Sequence, residues 1–263
     1  MYVRHKRIAL SCAPNDSPTD SELARMDNVI IAVFPGQGSQ TPGFLTPWLE
    51  TEGTRELLEQ YSAWAEVDLV AAGTEWDADR IRDTKVAQPL IVAASLLSWR
   101  ALVADGHRPA GVAGHSVGEI AALVAAGVLT EESGMRLVGI RGRAMAEAAS
   151  LEQTGMSAVV GGDEATVLAR LEELDLTPAN YNGGGQIVAA GALPALADLG
   201  AEAPRGSRVI PLQVAGAFHT RYMTPAVETL RTAAAEVAAS DPTLTLWSNR
   251  DGGPVTDGRA ALD

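Results

Sequence analysis

Cysteine, histidine and aromatic residues are scarce in this sequence of 263 residues. It contains one cysteine, Cys12, which excludes an intramolecular disulfide and any cysteine-based metal cluster. The four histidines (His5, His107, His115 and His219) show no metal-ligand spacing. We therefore expect neither a bound metal nor a permanently bound cofactor.

Basic residues are fewer than acidic ones. The chain has 20 lysines and arginines against 33 aspartates and glutamates, for a net charge of −13 at pH 7. Because no basic stripe or patch with interleaved aromatics occurs, nucleic-acid binding is not expected. The apolar runs are too short to span a bilayer, and no secretory signal precedes the first predicted core strand. We therefore expect a cytoplasmic protein without membrane contact.

Hydrophobic residues make up 46% of the chain, enough for one large core with a small inserted domain. Residues 1–27 mix charges and prolines without any sustained period, which predicts a disordered or loosely attached extension. Met26 directly precedes the first predicted strand and is an alternative natural start to Met1.

A Gly-x-Ser-x-Gly motif runs from Gly114 to Gly118 with Ser116 at its centre. The apolar run at 110–113 predicts a strand before it, and residues 120–126 predict a helix after it. Strand, tight turn and helix form a nucleophile elbow, in which the serine hydroxyl projects at the helix N-terminus beside free N–H groups. The alternative is a buried serine in a glycine-rich turn.

A serine is a poor nucleophile at neutral pH without a base, and His219 is the best candidate for that base. His115 is adjacent to Ser116 and points elsewhere if the turn is tight. The acid of a hydrolase triad would lie between the serine and the histidine in chain order. Three aspartates have that position, all in the predicted inserted module: Asp163, Asp175 and Asp198. The sequence therefore favours a Ser–His pair over a triad.

Two other stretches are candidates for ligand contact. Residues 28–34 predict a strand buried on both faces, and the glycines after it let the backbone at Gln37 approach a ligand closely. An ordinary strand-end turn is the alternative. Pro89 predicts the first turn of a helix that ends at Ala104, with Gln88 at its entrance. By itself Gln88 fits a capping or surface residue better than a ligand contact.

A helix is predicted over residues 131–149 with Thr130 as its cap. Arg141 falls in the apolar stripe of this helix, where an unpaired charge is costly. Its guanidinium must therefore bind an anion, line a cavity or pair with a buried carboxylate, and the spacing leaves these alternatives open.

The region 155–212 is predicted to contain, in order, a strand, a helix, two strands around a glycine turn, a helix and a strand. The predicted strands are 156–162, 177–182, 186–190 and 207–212, and the predicted helices are 164–174 and 193–199. This βαββαβ order matches a ferredoxin-like module. We take it as an insertion into a main domain formed by residues 28–154 and 213–263, which also carries a helix over 223–239 and a strand over 243–248.

Seven motifs follow one another between about Val29 and Asn249. They are Phe34-Pro35-Gly36-Gln37-Gly38-Ser39-Gln40, Gln88-Pro89, Gly114-His115-Ser116-Val117-Gly118-Glu119, Arg141-Gly142-Arg143-Ala144-Met145, Gly155-Met156-Ser157-Ala158-Val159, Ala179-Asn180-Tyr181-Asn182-Gly183-Gly184-Gly185-Gln186-Ile187-Val188 and Ala217-Phe218-His219. In type and order these motifs resemble those of malonyl-CoA:acyl carrier protein transacylases and of the acyltransferase domains of polyketide synthases. The resemblance implies an α/β fold, with an α/β-hydrolase-like large domain on a parallel sheet and an inserted ferredoxin-like small domain.

The resemblance implies a ping-pong transfer of malonyl from malonyl-CoA to the phosphopantetheine thiol of acyl carrier protein, for fatty acid or polyketide synthesis. Ser116 would be the nucleophile and His219 its base. The backbone N–H groups of Gln37 and Val117 would form the oxyanion hole. Arg141 would bind the malonyl carboxylate bidentately.

The resemblance also implies substrate-binding roles for Gln88, Asn182 and His115. Phe218 matches the malonyl-selective form of its loop. We expect a monomer that docks carrier protein through a local positive patch, with candidate arginines Arg136, Arg143, Arg205, Arg208 and Arg221.

Family members usually continue to a glutamine-containing segment that orients the catalytic histidine, and no such motif follows Asn249. The resemblance therefore predicts an incomplete C-terminal part or a different orientation of His219. The alternatives to malonyl transfer are a carrier-protein thioesterase of the same fold and an inactive, truncated homologue that only binds carrier protein.

Overall fold

A computed structural model of the chain describes residues 29–262. The predicted extension at 1–27, the two candidate start residues and Cys12 lie outside the described residues. The strands are β1 (Ile31–Phe34), β2 (Gly111–Gly114), β3 (Thr154–Gly161), β4 (Thr177–Gly183), β5 (Gln186–Ala192), β6 (Ser207–Pro211) and β7 (Thr245–Trp247). The helices are α1 (Thr54–Ala65), α2 (Leu69–Thr74), α3 (Ala78–Arg82), α4 (Thr84–Ala104), α5 (Gly118–Ala125), α6 (Glu131–Ser150), α7 (Glu164–Glu173), α8 (Leu193–Ala201) and α9 (Thr224–Ala235). The 3₁₀ turns are Thr46–Glu50, Arg221–Met223 and Ala260–Leu262.

One sheet is parallel, with strand order β1-β2-β7. The prediction that the first strand is buried on both faces is wrong. Ile31 is 41% exposed and Val33 is 67% exposed, whereas Phe34 is buried. Ile31 and Val33 are alternate residues on one face of β1, and this face is open to solvent. Within the described residues β1 pairs only with β2, which places it at a sheet edge.

Helix α4 starts earlier than the position of Pro89 predicts. Asp83 caps the helix by accepting the N–H of Lys85, and Pro89 lies inside the helix. A capping aspartate is a stronger start signal than proline, which can also be accommodated in a later turn. Gln88 is consequently 1% exposed in the helix interior, and its interpretation as a capping or surface residue is wrong.

Helix α4 is also long and apolar enough to cross a membrane, so the estimate that all apolar runs are too short is wrong for this helix. Most of its residues from Thr84 to Leu97 are buried in the protein core. Such burial is typical of the central helix of a globular fold, and length with composition is weak support for a membrane span.

The second sheet is antiparallel, with strand order β4-β5-β3-β6. Its strands and its two helices follow the predicted βαββαβ order, and their bounds lie close to those predicted. One face packs on α7 and α8, where Val159 and Ile187 meet Leu171 and Leu199. The α/β class is thus confirmed as a fold with one parallel and one antiparallel sheet.

Helix α6 contacts both cores. Thr130 caps it as predicted by accepting the N–H of Ser133. Residues near its start, including Leu137 and Val138, belong to the core around the parallel sheet. Met145 and neighbouring residues in its second half belong to the apolar cluster of the other face of the antiparallel sheet. Arg141 therefore lies where the helix passes from one core to the other.

Two predicted elements near the C-terminal end are shorter in the structure. The helix predicted over 223–239 is divided into a 3₁₀ turn and helix α9, which ends at Ala235. The strand predicted over 243–248 is reduced to β7. The carboxyl end of β7 nevertheless lies at the same edge of the parallel sheet as the carboxyl ends of β1 and β2, where functional groups gather in such sheets.

Candidate active site

Ser116 lies on the predicted strand–turn–helix element. Strand β2 ends at Gly114, helix α5 begins at Gly118, and Ser116 has a φ of 52°, in the left-handed region. A side chain at Gly114 would overlap the backbone of Gly118, and one at Gly118 would overlap the carbonyl of Phe34. The two glycines are therefore required for the turn to close.

His219 brings a ring nitrogen to the serine. Its Nε2 lies 2.9 Å from the Oγ of Ser116, although the two residues are far apart in the chain. The loop that carries it is anchored by the N–H of Ala217, which donates to Oγ1 of Thr154 at 3.0 Å. This geometry allows proton transfer between the hydroxyl and the imidazole.

The environment keeps His219 neutral at pH 7. Although the residue borders solvent, burial of its ring lowers the pKa to about 4, and the positive charge of Arg141 acts in the same direction. A neutral imidazole can accept the serine proton, whereas an imidazolium cannot.

Two of the three candidate triad aspartates are engaged elsewhere. Asp163 caps helix α7 by accepting from Thr166, and Asp175 accepts two hydrogen bonds from Arg221. Asp198 lies on α8, on the far side of the antiparallel sheet from the serine loop. The geometry supports the Ser–His pair that the sequence favours.

Arg141 lies beside the serine on the inner face of α6. Its Nη2 donates to Oγ of Ser116 at 3.2 Å, while its Nη1 is buried without a hydrogen-bond partner in the described part of the protein. Burial lowers its pKa to about 10, and the carboxylate of Glu119 partly opposes this effect. The guanidinium is thus charged at pH 7 with donor capacity to spare, which is a suitable receptor for a carboxylate.

Gln88 faces α6 from helix α4. Its Nε2 donates to the sulfur of Met145 at 3.3 Å, and its Oε1 is buried without a hydrogen-bond partner among the described residues. Phe218, just before the histidine, is buried in the same apolar cluster as Met145. Met145 lies one helical turn beyond Arg141 on α6, and Gln88 and Phe218 therefore lie beside that turn.

The loop after β1 packs against the serine turn. The N–H of His115 donates to the carbonyl of Phe34 at 2.9 Å, and a side chain at Gly36 would come within 2.5 Å of the His115 ring. The side chain of Gln37 points away from this contact, and its Nε2 donates to Oγ1 of Thr84 at 3.4 Å.

Val117 is buried at the N-terminal end of α5. Its N–H follows the serine directly, at the end of the helix where backbone N–H groups have no intrahelical partner.

Asn182 is engaged within its own hairpin, where Nδ2 donates to Oε1 of Gln186 at 2.9 Å. The structure therefore places His219 and Arg141 within hydrogen-bond distance of Ser116. The hydrogen bond of Asn182 instead lies within its hairpin.

Two residues of the site were missed by the sequence analysis. Asn249 follows β7 and hydrogen-bonds the backbone of Gly114 and Ser116, and Glu119 accepts from the Asn249 N–H at 2.8 Å. The available signal was the position of Asn249 after a parallel strand, because functional groups gather at the carboxyl edge of such sheets.

Comparisons with known proteins identify the family of the chain. The acyl transferase domain family matches residues 31–261. The malonyl CoA-acyl carrier protein transacylase of Mycobacterium tuberculosis is 52% identical over 238 residues, which cover 89% of this chain and 79% of that protein. The enzyme of the same name from Escherichia coli K12 is 35% identical, over 88% of this chain and 77% of its own length.

Solved structures give the same result. The crystal structure of MCAT from Mycobacterium tuberculosis superposes with a TM-score of 0.86 and covers 90% of this chain and 79% of its own. A malonyl-transacylase in complex with a type II PKS acyl-carrier protein has a TM-score of 0.83 at 30% identity, over 89% of this chain and 80% of its own. The chain thus belongs to the acyl transferase domain family, in the branch of the malonyl-CoA:acyl carrier protein transacylases.

Proposed function

We propose that this protein transfers a malonyl group from malonyl-CoA to the phosphopantetheine thiol of acyl carrier protein, for fatty acid or polyketide synthesis. The observation that carries the proposal is the buried, charged guanidinium of Arg141, which has an unpartnered N–H and touches the hydroxyl of Ser116. A simple acyl hydrolase does not need a buried cation at this place. A carboxylated acyl group does, because its free carboxylate would pair with that N–H.

The first half-reaction acylates Ser116. Its Oγ attacks the thioester carbonyl of malonyl-CoA while the hydroxyl proton passes to Nε2 of His219. The Oγ–C bond forms, the C–S bond breaks, and the imidazolium returns the proton to the departing CoA sulfur. The distance of 2.9 Å between Oγ and Nε2 supports this step.

The second half-reaction reverses these roles. The phosphopantetheine thiol gives its proton to His219 and attacks the malonyl-serine carbonyl. The S–C bond forms, the C–Oγ bond breaks, and Ser116 recovers the proton from the imidazolium. The low pKa of His219 keeps the neutral ring as the resting form, which can accept a proton from Ser116 or from the carrier thiol.

The remaining residues support the acyl group. The N–H groups of Gln37 and Val117 would donate to the oxyanion that forms on the thioester oxygen. Gln88 and Phe218 would line the acyl pocket beyond Arg141, consistent with their position around Met145. Asn182 and His115 would contact the substrate farther out, and the exposed position of both agrees with an entrance role.

The finer architecture is part of the proposal. Residues 28–154 and 213–263 would form an α/β-hydrolase-like domain, and residues 155–212 a ferredoxin-like subdomain. The strand order β4-β5-β3-β6 with both helices on one face supports this description of the subdomain. A monomeric state and a cytoplasmic location stay predictions.

The carrier protein would dock on the exposed arginines beside the antiparallel sheet. Ion pairs engage Arg136, Arg143 and Arg221 with neighbouring acidic residues. The ion pairs found in residues 29–262 do not include Arg205 or Arg208, which are both exposed at β6. Because acyl carrier proteins are usually acidic, free positive charge on an otherwise acidic protein would guide their approach.

The direct test is incubation with radiolabelled malonyl-CoA, with and without holo acyl carrier protein. We expect a malonyl-protein that is lost in Ser116→Ala and that passes its label to the carrier thiol. Release of free malonate without labelled carrier protein would instead identify a thioesterase. Absence of any labelled protein would contradict both activities.

A further inference from the structure

The side chain of Asn249 bridges the start of the serine turn at Gly114 and its centre at Ser116. Its Oδ1 accepts the N–H of Ser116 at 3.4 Å, and its Nδ2 donates to the carbonyl of Gly114 at 2.5 Å. Asn249 thereby contacts the residues on either side of His115. No other described side chain hydrogen-bonds to the backbone at both of these positions.

Asn249 is itself held in place by the helix that follows the serine. Its backbone N–H donates to Oε1 of Glu119 at 2.8 Å, and Glu119 lies in the first turn of α5. The same carboxylate favours the charged form of Arg141. Asn249 therefore belongs to a polar network that runs from the end of β7 to the serine and the guanidinium.

The chain around Asn249 does not need this side chain for its own turn. The backbone of Ser248 exchanges hydrogen bonds with Gly252 and Gly253, and Oγ of Ser248 accepts the N–H of Arg250 at 3.0 Å. With the turn closed by these bonds, the carboxamide of Asn249 is directed to the serine turn alone.

The conformation of Ser116 makes such support necessary. A non-glycine residue with positive φ persists only where its surroundings hold it, and Ser116 has a φ of 52°. Asparagine suits the position because its amide combines one acceptor and one donor group, which match the N–H and the carbonyl that it meets.

We propose that Asn249 is a positioning residue that acts through Ser116, an inference that rests on the proposed function of Ser116 as the acylated nucleophile. It fixes the left-handed backbone of the serine and so keeps Oγ in line with Nε2 of His219. Loss of the carboxamide lets Oγ move away from the imidazole, which slows attack on the acyl carbonyl and leaves substrate affinity unchanged.

The test compares Asn249→Asp and Asn249→Ala with Ser248→Ala. Aspartate keeps an acceptor for the Ser116 N–H but has no donor for the Gly114 carbonyl, whereas alanine has neither. Ser248→Ala removes a side-chain hydrogen bond from the same turn without touching the elbow, which makes it the matched control.

Two rates are measured for each protein. One is the single-turnover acylation of Ser116 by malonyl-CoA as a function of its concentration, and the other is the phosphonylation of Ser116 by a small fluorophosphonate. Both Asn249 variants are expected to react about tenfold to a hundredfold more slowly in both assays, because Oγ of Ser116 is displaced from the imidazole. The half-saturating concentration of malonyl-CoA should stay unchanged, because substrate binding is not altered. Ser248→Ala is expected to react like the wild type.

Phosphonylation needs neither malonyl-CoA nor carrier protein, so the two proposals fail separately. A wild-type protein that is phosphonylated but never malonylated contradicts the proposed function, and the variant ratios still decide the role of Asn249. Wild-type phosphonylation rates in both Asn249 variants would overturn the inference. Loss of the folded state in both variants, detected by thermal melting, would also overturn it by assigning Asn249 to the fold.

Discussion

Arg141 and Arg221 occupy two regions of the molecule with opposite electrostatic environments. Arg141 lies between the two cores with one N–H group buried and unpartnered, and burial lowers its pKa. Arg221, two residues after His219, is exposed and forms two hydrogen bonds to Asp175 at 3.0 and 2.5 Å. The hydrogen bonds to Asp175 raise the pKa of Arg221.

The difference distinguishes a charge that is paired within the protein from one that keeps an N–H group open to a ligand. An exposed ion pair is satisfied within the protein and screened by water, so it contributes little to stability. A buried guanidinium with an open N–H costs folding energy that no protein contact returns. Such a cost is understandable where a bound carboxylate completes the pair.

The largest effect is expected from the serine that Arg141 contacts. Ser116→Ala removes the nucleophile, and we expect malonyl transfer to fall by at least about ten-thousand-fold, as for loss of a serine nucleophile in other enzymes. Mass spectrometry of the protein after incubation with malonyl-CoA should show no added malonyl mass. A malonyl adduct on the variant would place the nucleophile elsewhere.

Exchange of arginine for lysine tests the comparison directly. Arg141→Lys keeps the charge but loses the planar fork, so kcat/KM for malonyl-CoA is expected to fall about tenfold or more. Arg221→Lys, the matched control, should remain within about twofold of the wild type, because an exposed pair contributes little. Equal losses in both variants would remove the distinction between the two arginines.

Arg208 on β6 and Arg205 just before this strand should affect the second substrate only. Arg208→Glu together with Arg205→Glu is expected to raise the KM for acyl carrier protein about threefold to tenfold at low salt, with acylation by malonyl-CoA unchanged. Arg136→Glu is the control, since this arginine is already paired with Glu132. An unchanged KM for carrier protein at low salt would exclude this docking surface.

The smallest effect is a shift in pH dependence. With a pKa of about 4, His219 is neutral above that pH, and phosphonylation of Ser116 should lose rate only as the pH falls towards 4. Arg141→Gln removes a positive charge that favours the neutral ring, so the acidic limb of the pH–rate profile should move to higher pH. The pKa of His219 should not return fully to its ordinary value, because burial of the ring is the larger cause of its lowering. Arg221→Gln should leave the limb in place, and an Arg141 variant with the wild-type limb would show that this charge does not act on the histidine.

Local signals predicted the antiparallel module well. Its strands and helices lie within two residues of their predicted bounds, because Asn182-Gly183 marks the hairpin and each element has its own apolar period. The sequence predicted the serine turn equally well, because its glycines are required by close backbone contacts within the motif and with β1. The position of Arg141 on an apolar stripe predicted its burial.

Non-local contacts explain what the sequence could not predict. The exposure of Val33 depends on which elements cover that face of β1, and no feature of residues 28–34 reveals this. Gln88 is buried because Asp83 starts the helix before the proline. Asn249 meets Ser116 across 133 positions of the chain, and only the assembled parallel sheet brings them together.

The most direct measurement of the central claim is the ratio of Ser116 acylation rates with malonyl-CoA and acetyl-CoA. In Arg141→Ala the rate with malonyl-CoA should fall about a hundredfold, the scale expected for loss of one partner of a buried charge pair, while the rate with acetyl-CoA falls far less. The malonyl preference should therefore disappear in Arg141→Ala and persist in Arg221→Ala. An equal loss of both rates in Arg141→Ala would contradict the role of Arg141 as the carboxylate receptor.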